Sequence, residues 1–183
     1  MNRTIVNPII KDEITFTQTA SGTNGRTTCL LVKLMPGGGT PMHYHKNFEE
    51  CFIVLDGELT LELKDSKIIL LPGQEYTVSK REPHRFANES DREVNFTTII
   101  RPASQGFEDA LCILYGLARD QRTNDKGIPV NMLELSAVSS MSDMHQVGLP
   151  FFVKPLIALF ATVAKITGVN KKLRAKYCNY SGL

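Results

Sequence analysis

From Thr4 to about Pro102 the chain alternates short β-prone runs with residues that reverse a backbone, and no other feature restricts its fold so tightly. The runs are Arg26 to Met35, Cys51 to Leu55, Glu58 to Lys64, Lys67 to Leu71, Glu75 to Val78, His84 to Asn88 and Glu93 to Ile100. Strands spaced this closely leave no room for helices between them and predict an antiparallel sandwich or barrel. Pro36-Gly-Gly-Gly, Asp56-Gly57, Asp65-Ser66 and Pro72-Gly73 separate the runs. Asp56-Gly57 carries the strongest hairpin signal, because both residues tolerate the positive φ of a tight turn.

Leu59, Leu61 and Leu63 alternate with Glu58, Thr60 and Glu62, so that strand has one wet face. Cys29 to Met35 and Cys51 to Leu55 are apolar at nearly every position and need cover on both faces. A homodimer or a helical lid is expected to supply it.

After Pro102 the apolar spacing changes from two to nearly four. Phe107, Ala110, Leu111, Leu114, Tyr115 and Ala118 predict a helix over Gln105 to Arg119, and Met132, Leu135, Ala137 and Val138 a second from Asn131 to about His145. A third starts near Pro155, with Leu156, Leu159, Phe160, Val163 and Ile166 as its stripe and Gly168 as its stop. The chain therefore divides into a β-barrel over residues 1–102 and a helical extension over 103–183 that packs on the barrel or on a partner.

Charge is distributed unevenly. Asp143 is the last acidic residue, and Lys154, Lys165, Lys171, Lys172, Arg174 and Lys176 follow it, leaving residues 1–143 at −4 under a net charge of +2. That bias is compatible with an anionic surface, although a solvated basic tail is the commoner meaning. Pro155 to Ala164 is the longest uncharged stretch of the tail's helix and falls short of the roughly 20 residues that span a bilayer. Residues 147–183 thus suit a weak contact with a membrane surface at most. Cys29, Cys51, Cys112 and Cys178 show no paired spacing and are expected as reduced thiols. The start lacks the apolar core of a secretory signal, so a cytoplasmic protein is expected, with a periphery on the inner membrane as the alternative. Nothing resembles a helix-turn-helix, and no nucleic-acid partner is expected.

His43 and His45 stand two apart in a β context, so both side chains leave one face of the strand and can chelate one ion. Glu50 opens the next strand and adds a carboxylate oxygen, and His84 comes from another strand, a donor set suited to a divalent first-row metal. Strand parity selects Glu50 over Glu49, which would face solvent. Phe52 and Val54 share the parity of Glu50, and Phe86 that of His84, which marks them for a pocket wall. His145 stands alone and reads as a surface histidine.

Gly37-x5-His43-x-His45-x4-Glu50-x6-Gly57 reproduces the first motif of the cupins in full, and this chain resembles that family. The second cupin motif is present at Gly73, His84 and Asn88, with Ser79 in place of its proline and Arg81 in place of its glycine. The resemblance spans about residues 30 to 100, and the 15 residues from Glu58 to Pro72 match the short intermotif length of small bacterial members. It implies a double-stranded β-helix, or jelly roll, with His43, His45, Glu50 and His84 as ligands of one Fe, Mn, Ni, Zn or Cu ion. The implied activity is dioxygenase-like or Lewis-acid chemistry on a small organic substrate, and the alternative is a non-catalytic sensor or carrier of a small ligand. No residue is identifiable as a general base.

Overall fold

Fifteen short elements follow one another in a computed structural model that describes residues 3–148, 150 and 153–178, with Lys154 described by its backbone alone. Ten strands come first: β1 (Arg3–Asn7), β2 (Asp12–Gln18), β3 (Thr28–Leu34), β4 (His43–Tyr44), β5 (Glu49–Asp56), β6 (Leu59–Leu63), β7 (Lys67–Leu70), β8 (Glu75–Val78), β9 (His84–Ala87) and β10 (Val94–Arg101). Then come α1 (Gln105–Arg119), α2 (Met132–Ser142), β11 (His145–Gln146), α3 (Val153–Ile166) and α4 (Val169–Tyr177). The strands form two antiparallel sheets, ordered β1-β2-β3-β10-β5-β8 and β11-β4-β9-β6-β7. The mainly β architecture with helices after it is the one predicted.

Alternation decides which side chains meet between the sheets. In β10 every second residue, Val94, Phe96, Thr98 and Ile100, is buried, and in β3 the same holds for Thr28, Leu30, Val32 and Leu34. Phe52, Phe86 and Phe96 meet at ring separations of 5.3 to 6.2 Å and form the aromatic floor of the barrel.

Several expectations change. β1 and β2 were outside the predicted runs; their polar residues alternate with Ile5, Ile14 and Phe16, a pattern too short to stand out from loop composition. Asp56-Gly57 is no hairpin, because β5 pairs with β10 and β8 whereas β6 pairs with β7 and β9. The turn instead carries the chain from one sheet to the other, and Gly57 is required there, since a Cβ would lie 2.7 Å from the Glu93 carbonyl oxygen. His145, expected in a helix, lies in β11 opposite Tyr44, and α2 ends at an Asp143 whose φ of 54° is left-handed. The basic tail forms a fourth helix, α4, after Gly168. Among the described residues α1 packs chiefly on β1, α2 and α4, and α3 on α2 and α4. Leu31, Ile53 and Ile99, on the outward face, stay half-buried. Of residues 147–183, Leu149, Phe151, Phe152 and 179–183 fall outside the described residues.

Buried polar contacts join α1 to the barrel. Glu108 accepts from the Ala20 amide at 2.6 Å and the Thr28 hydroxyl at 2.5 Å, and the Tyr115 hydroxyl donates to the Asp12 carboxylate. Burial pushes the Asp12 carboxyl up to about 7, against the lowering effect of Tyr115. A folded value above the unfolded one means that Asp12's contribution to stability is complete at low pH and is lost as pH rises through about 7. Tyr115→Phe is expected to cost about 1–3 kcal/mol in urea unfolding. The loss should be larger at pH 8, where an ionised Asp12 is left without its donor, than at pH 5, and a pH-independent loss would contradict this account.

Candidate metal centre

Strand register brings the four predicted side chains together. His43 on β4 pairs directly with His84 on β9, so the two imidazoles stand side by side with centroids 4.5 Å apart. His45 leaves the same face two residues on, and Glu50 opposes Val78 and Ile100 from the facing sheet with its side chain turned inward. Each of the four is between 1% and 6% exposed, and their ligand atoms all lie within 4.8 Å of one another. An ion bonded at 2.0–2.2 Å holds its donors up to roughly 4.4 Å apart, so this cluster needs only a small contraction to close on one.

The hydrogen bonds orient the rings as a metal requires. His43 Nδ1 meets the Pro41 carbonyl at 2.8 Å, His84 Nδ1 the Glu82 carbonyl at 2.9 Å, and His45 Nδ1 the Asp143 carbonyl at 3.2 Å. A carbonyl can only accept, so Nδ1 carries a proton in all three, which leaves Nε2 as the ring atom available to Glu50 or to an ion. His84 Nε2 stands 2.9 Å and His45 Nε2 3.2 Å from the same Glu50 Oε2. The second approach is too poorly aligned for a hydrogen bond, and His45 Nε2 is buried without one. Ring nitrogens converging on one oxygen call for a proton or a cation between them, and the residues therefore fit a divalent ion.

Electrostatics lead to the same conclusion. Burial alone would raise the Glu50 carboxyl, but the His45 and His84 rings outweigh it and hold Glu50 well below the usual carboxylate range. His84 is opposed by burial too, yet the Glu50 hydrogen bond and charge raise its pKa. Burial, with repulsion from His84 and His45, drives His43 down to about 3, so it stays neutral and able to ligate.

The turn before His84 retains its shape despite the two departures from the second motif. Arg81 adopts a φ of 68°, the left-handed conformation that a glycine takes freely, and its amide donates to the His45 carbonyl at 2.6 Å. Ser79 keeps the N–H that a proline would lack and gives it to Glu82 Oε2 at 3.1 Å.

Of the predicted wall, Phe52 lies edge-on to His84 at 6.2 Å and Phe86 packs on Phe52 at 6.0 Å, whereas Val54 is buried in the core without a ring contact to the histidines. None of the three lines the cavity of about 80 Å³ that reaches His43; Ile10, Pro41, Leu114, Ile128, Val138 and Met144 do. Sequence reasoning also missed Phe48, stacked on His45 at 4.3 Å, and Phe107 of α1, edge-on to His45 at 5.8 Å. Glu49 lies beside Glu50 but outside the cluster.

Asp143 was not anticipated either. Besides its carbonyl contact to His45, its Oδ2 accepts from the Lys46 and Asn47 amides at 2.8 and 2.7 Å, and its Oδ1 from His145 at 3.1 Å. One residue of the extension thereby holds a ligand ring and the loop after it. Asp143→Ala is expected to weaken divalent-metal affinity roughly 10–100-fold in competition titration with a chelator. The substitution keeps the main-chain carbonyl, so unchanged affinity would mean that the Asp143 carboxylate is not needed to hold that carbonyl against His45.

A family model described as a cupin domain matches residues 30–100. Quercetin 2,3-dioxygenase of Bacillus subtilis is 35% identical over 74 residues, which is 38% of this chain and only 22% of that protein. A predicted oxalate decarboxylase from Thermotoga maritima superposes over 56% of this chain and 92% of its own at 17% identity, with a TM-score of 0.50. A sugar phosphate isomerase of the cupin superfamily from Silicibacter pomeroyi does so over 55% and 71% at 18% identity, with a TM-score of 0.49. Residues 30–100 are thus a cupin domain, and a helical region follows it in the chain.

Proposed function

We propose that this cupin is a metal-dependent enzyme acting on a small organic molecule, with His43, His45, Glu50 and His84 as ligands of one divalent ion. The common orientation of the three rings carries this reading, since each gives its Nδ1 proton to a backbone carbonyl and turns Nε2 inward. When bound, a first-row ion such as Fe, Mn, Ni, Zn or Cu supplies Lewis acidity and, if redox-active, dioxygen chemistry. Three neutral imidazoles and one carboxylate leave that centre at about +1, which attracts an enolate or phenolate oxygen. The likeness to quercetin 2,3-dioxygenase favours the dioxygenase-like option.

The chain's own residues bind and screen the substrate. The cavity beside His43 has apolar walls and about 80 Å³, well below the roughly 300–1,000 Å³ of sites for drug-sized ligands. A cavity of that size favours a compact substrate with one acidic hydroxyl over a molecule as large as quercetin. Ser139, Ser142 and Gln146 offer hydrogen bonds along one side.

A second reading, a carrier that binds without turnover, is favoured by one observation: no carboxylate lines that cavity, and its one histidine is held neutral. Anaerobic loading with Fe(II), followed by oxygen uptake over a panel of small enolic and phenolic compounds, separates the two. Substrate-dependent uptake that Glu50→Gln abolishes is the expected result. Ligand binding without uptake would establish the carrier, and protein purified without chelator that holds no stoichiometric metal would defeat both.

A homodimer belongs to the same reading. Leu31, Ile53 and Ile99 form a half-buried outward face on the six-stranded sheet, and a second copy would complete their burial. The mass in solution is expected to be twice that of one chain and to halve in Ile53→Glu; a monomer at every concentration would remove the dimer.

A further inference from the structure

Helix α3 buries Ala164 completely and half-buries Ile157 and Phe160 against its neighbours. Its opposite side is apolar and bare. Leu156, Leu159, Val163 and Ile166 are 45%, 60%, 37% and 80% exposed, and their spacing of three, four and three residues places them in one stripe along the helix. At 100° per residue, Lys165 stands about 100° from Ile166, outside the stripe.

The segment that carries this stripe is basic. No acidic residue follows Asp143. Arg174 is drawn to Asp109 and Lys176 to Asp120, both toward α1. Lys165, Lys171 and Lys172 are exposed and have no ion pair among the described residues. An apolar stripe on a segment that also carries exposed, uncompensated lysines in α4 is complementary to a surface that is apolar beneath and negative on top. It is poorly matched to a second copy of itself, because a two-fold contact through α3 would bring two acid-free basic segments together. No described helix is long and apolar enough to cross a membrane, so the only lipid geometry open to α3 is parallel to the surface.

We propose that α3 is an interfacial anchor that lays Leu156, Leu159, Val163 and Ile166 into the acyl boundary of an anionic lipid surface, with the exposed Lys171 and Lys172 of α4 on the headgroups. The anchor shares no residue with the metal centre, so metal binding and lipid binding are separable.

The full chain should co-sediment with vesicles of roughly three parts phosphatidylcholine to one part phosphatidylglycerol, and far less with phosphatidylcholine alone, with binding falling as salt rises. The double variants Leu159→Ser with Ile166→Ser and Lys171→Gln with Lys172→Gln should each lower partitioning at least tenfold. All four positions are exposed, so circular dichroism and metal content should match the parent chain, which separates loss of the anchor from loss of the fold. Three results would overturn the proposal: no sedimentation with either vesicle, equal binding to both, or a serine variant that leaves vesicle binding intact while splitting a dimer into monomers. The last would assign the stripe to a contact between copies.

Discussion

A carboxylate sealed among three imidazoles is the constraint around which the rest of this structure is arranged. Removing Glu50 from water is costly unless positive charge stands beside it, and the same low dielectric that creates the cost strengthens every attraction at the centre. The barrel therefore has two tasks: it must exclude water, and it must hold each ring at the angle that points its Nε2 inward. The aromatic floor of Phe52, Phe86 and Phe96 serves the first. The carbonyls of Pro41, Glu82 and Asp143 serve the second. Two of those carbonyls lie two residues before the histidine they orient, so strand geometry provides them locally; the third comes from the far end of the chain.

That third carbonyl changes the status of the helical region. Phe107 of α1 stands edge-on to His45, residues of α2 and the loop before it wall the cavity, and β11 extends the sheet that bears His43. The barrel and the helices thus share one site. Their union rests on a few buried polar contacts, Glu108 to Ala20 and Thr28 and Tyr115 to Asp12, whose geometry is directional where apolar packing is not. Such contacts fix the angle at which α1 meets the barrel, and with it the position of everything downstream.

The ligand set was legible because spacing translates directly into direction on a strand: two residues apart means one face, and parity separates Glu50 from Glu49. The strands with strong β formers were legible for the same reason, and the first helix through its apolar period. Which strands pair was not, and Asp56-Gly57 shows why: its residues prescribe a turn but not whether the next strand returns beside the last or crosses to the other sheet. β1, β2 and β11 lack the length or apolar contrast to be seen locally. Asp143 left no local trace at all, because its role depends on a left-handed backbone at the end of α2 and on a loop 96 to 98 residues away. Arg81 was visible as a departure from a motif, but only its φ of 68° revealed that the turn survives.

The contact between His45 and Asp143 also orders events during synthesis. A ribosome releases His45 nearly a hundred residues before the carbonyl that orients it, and β11, which seats that segment against β4, follows Asp143 directly. Until those residues emerge, the nascent barrel carries its full set of donors but lacks one of their orienting partners. A product that stops short of Asp143 would present the same four donors with His45 lacking its orienting carbonyl.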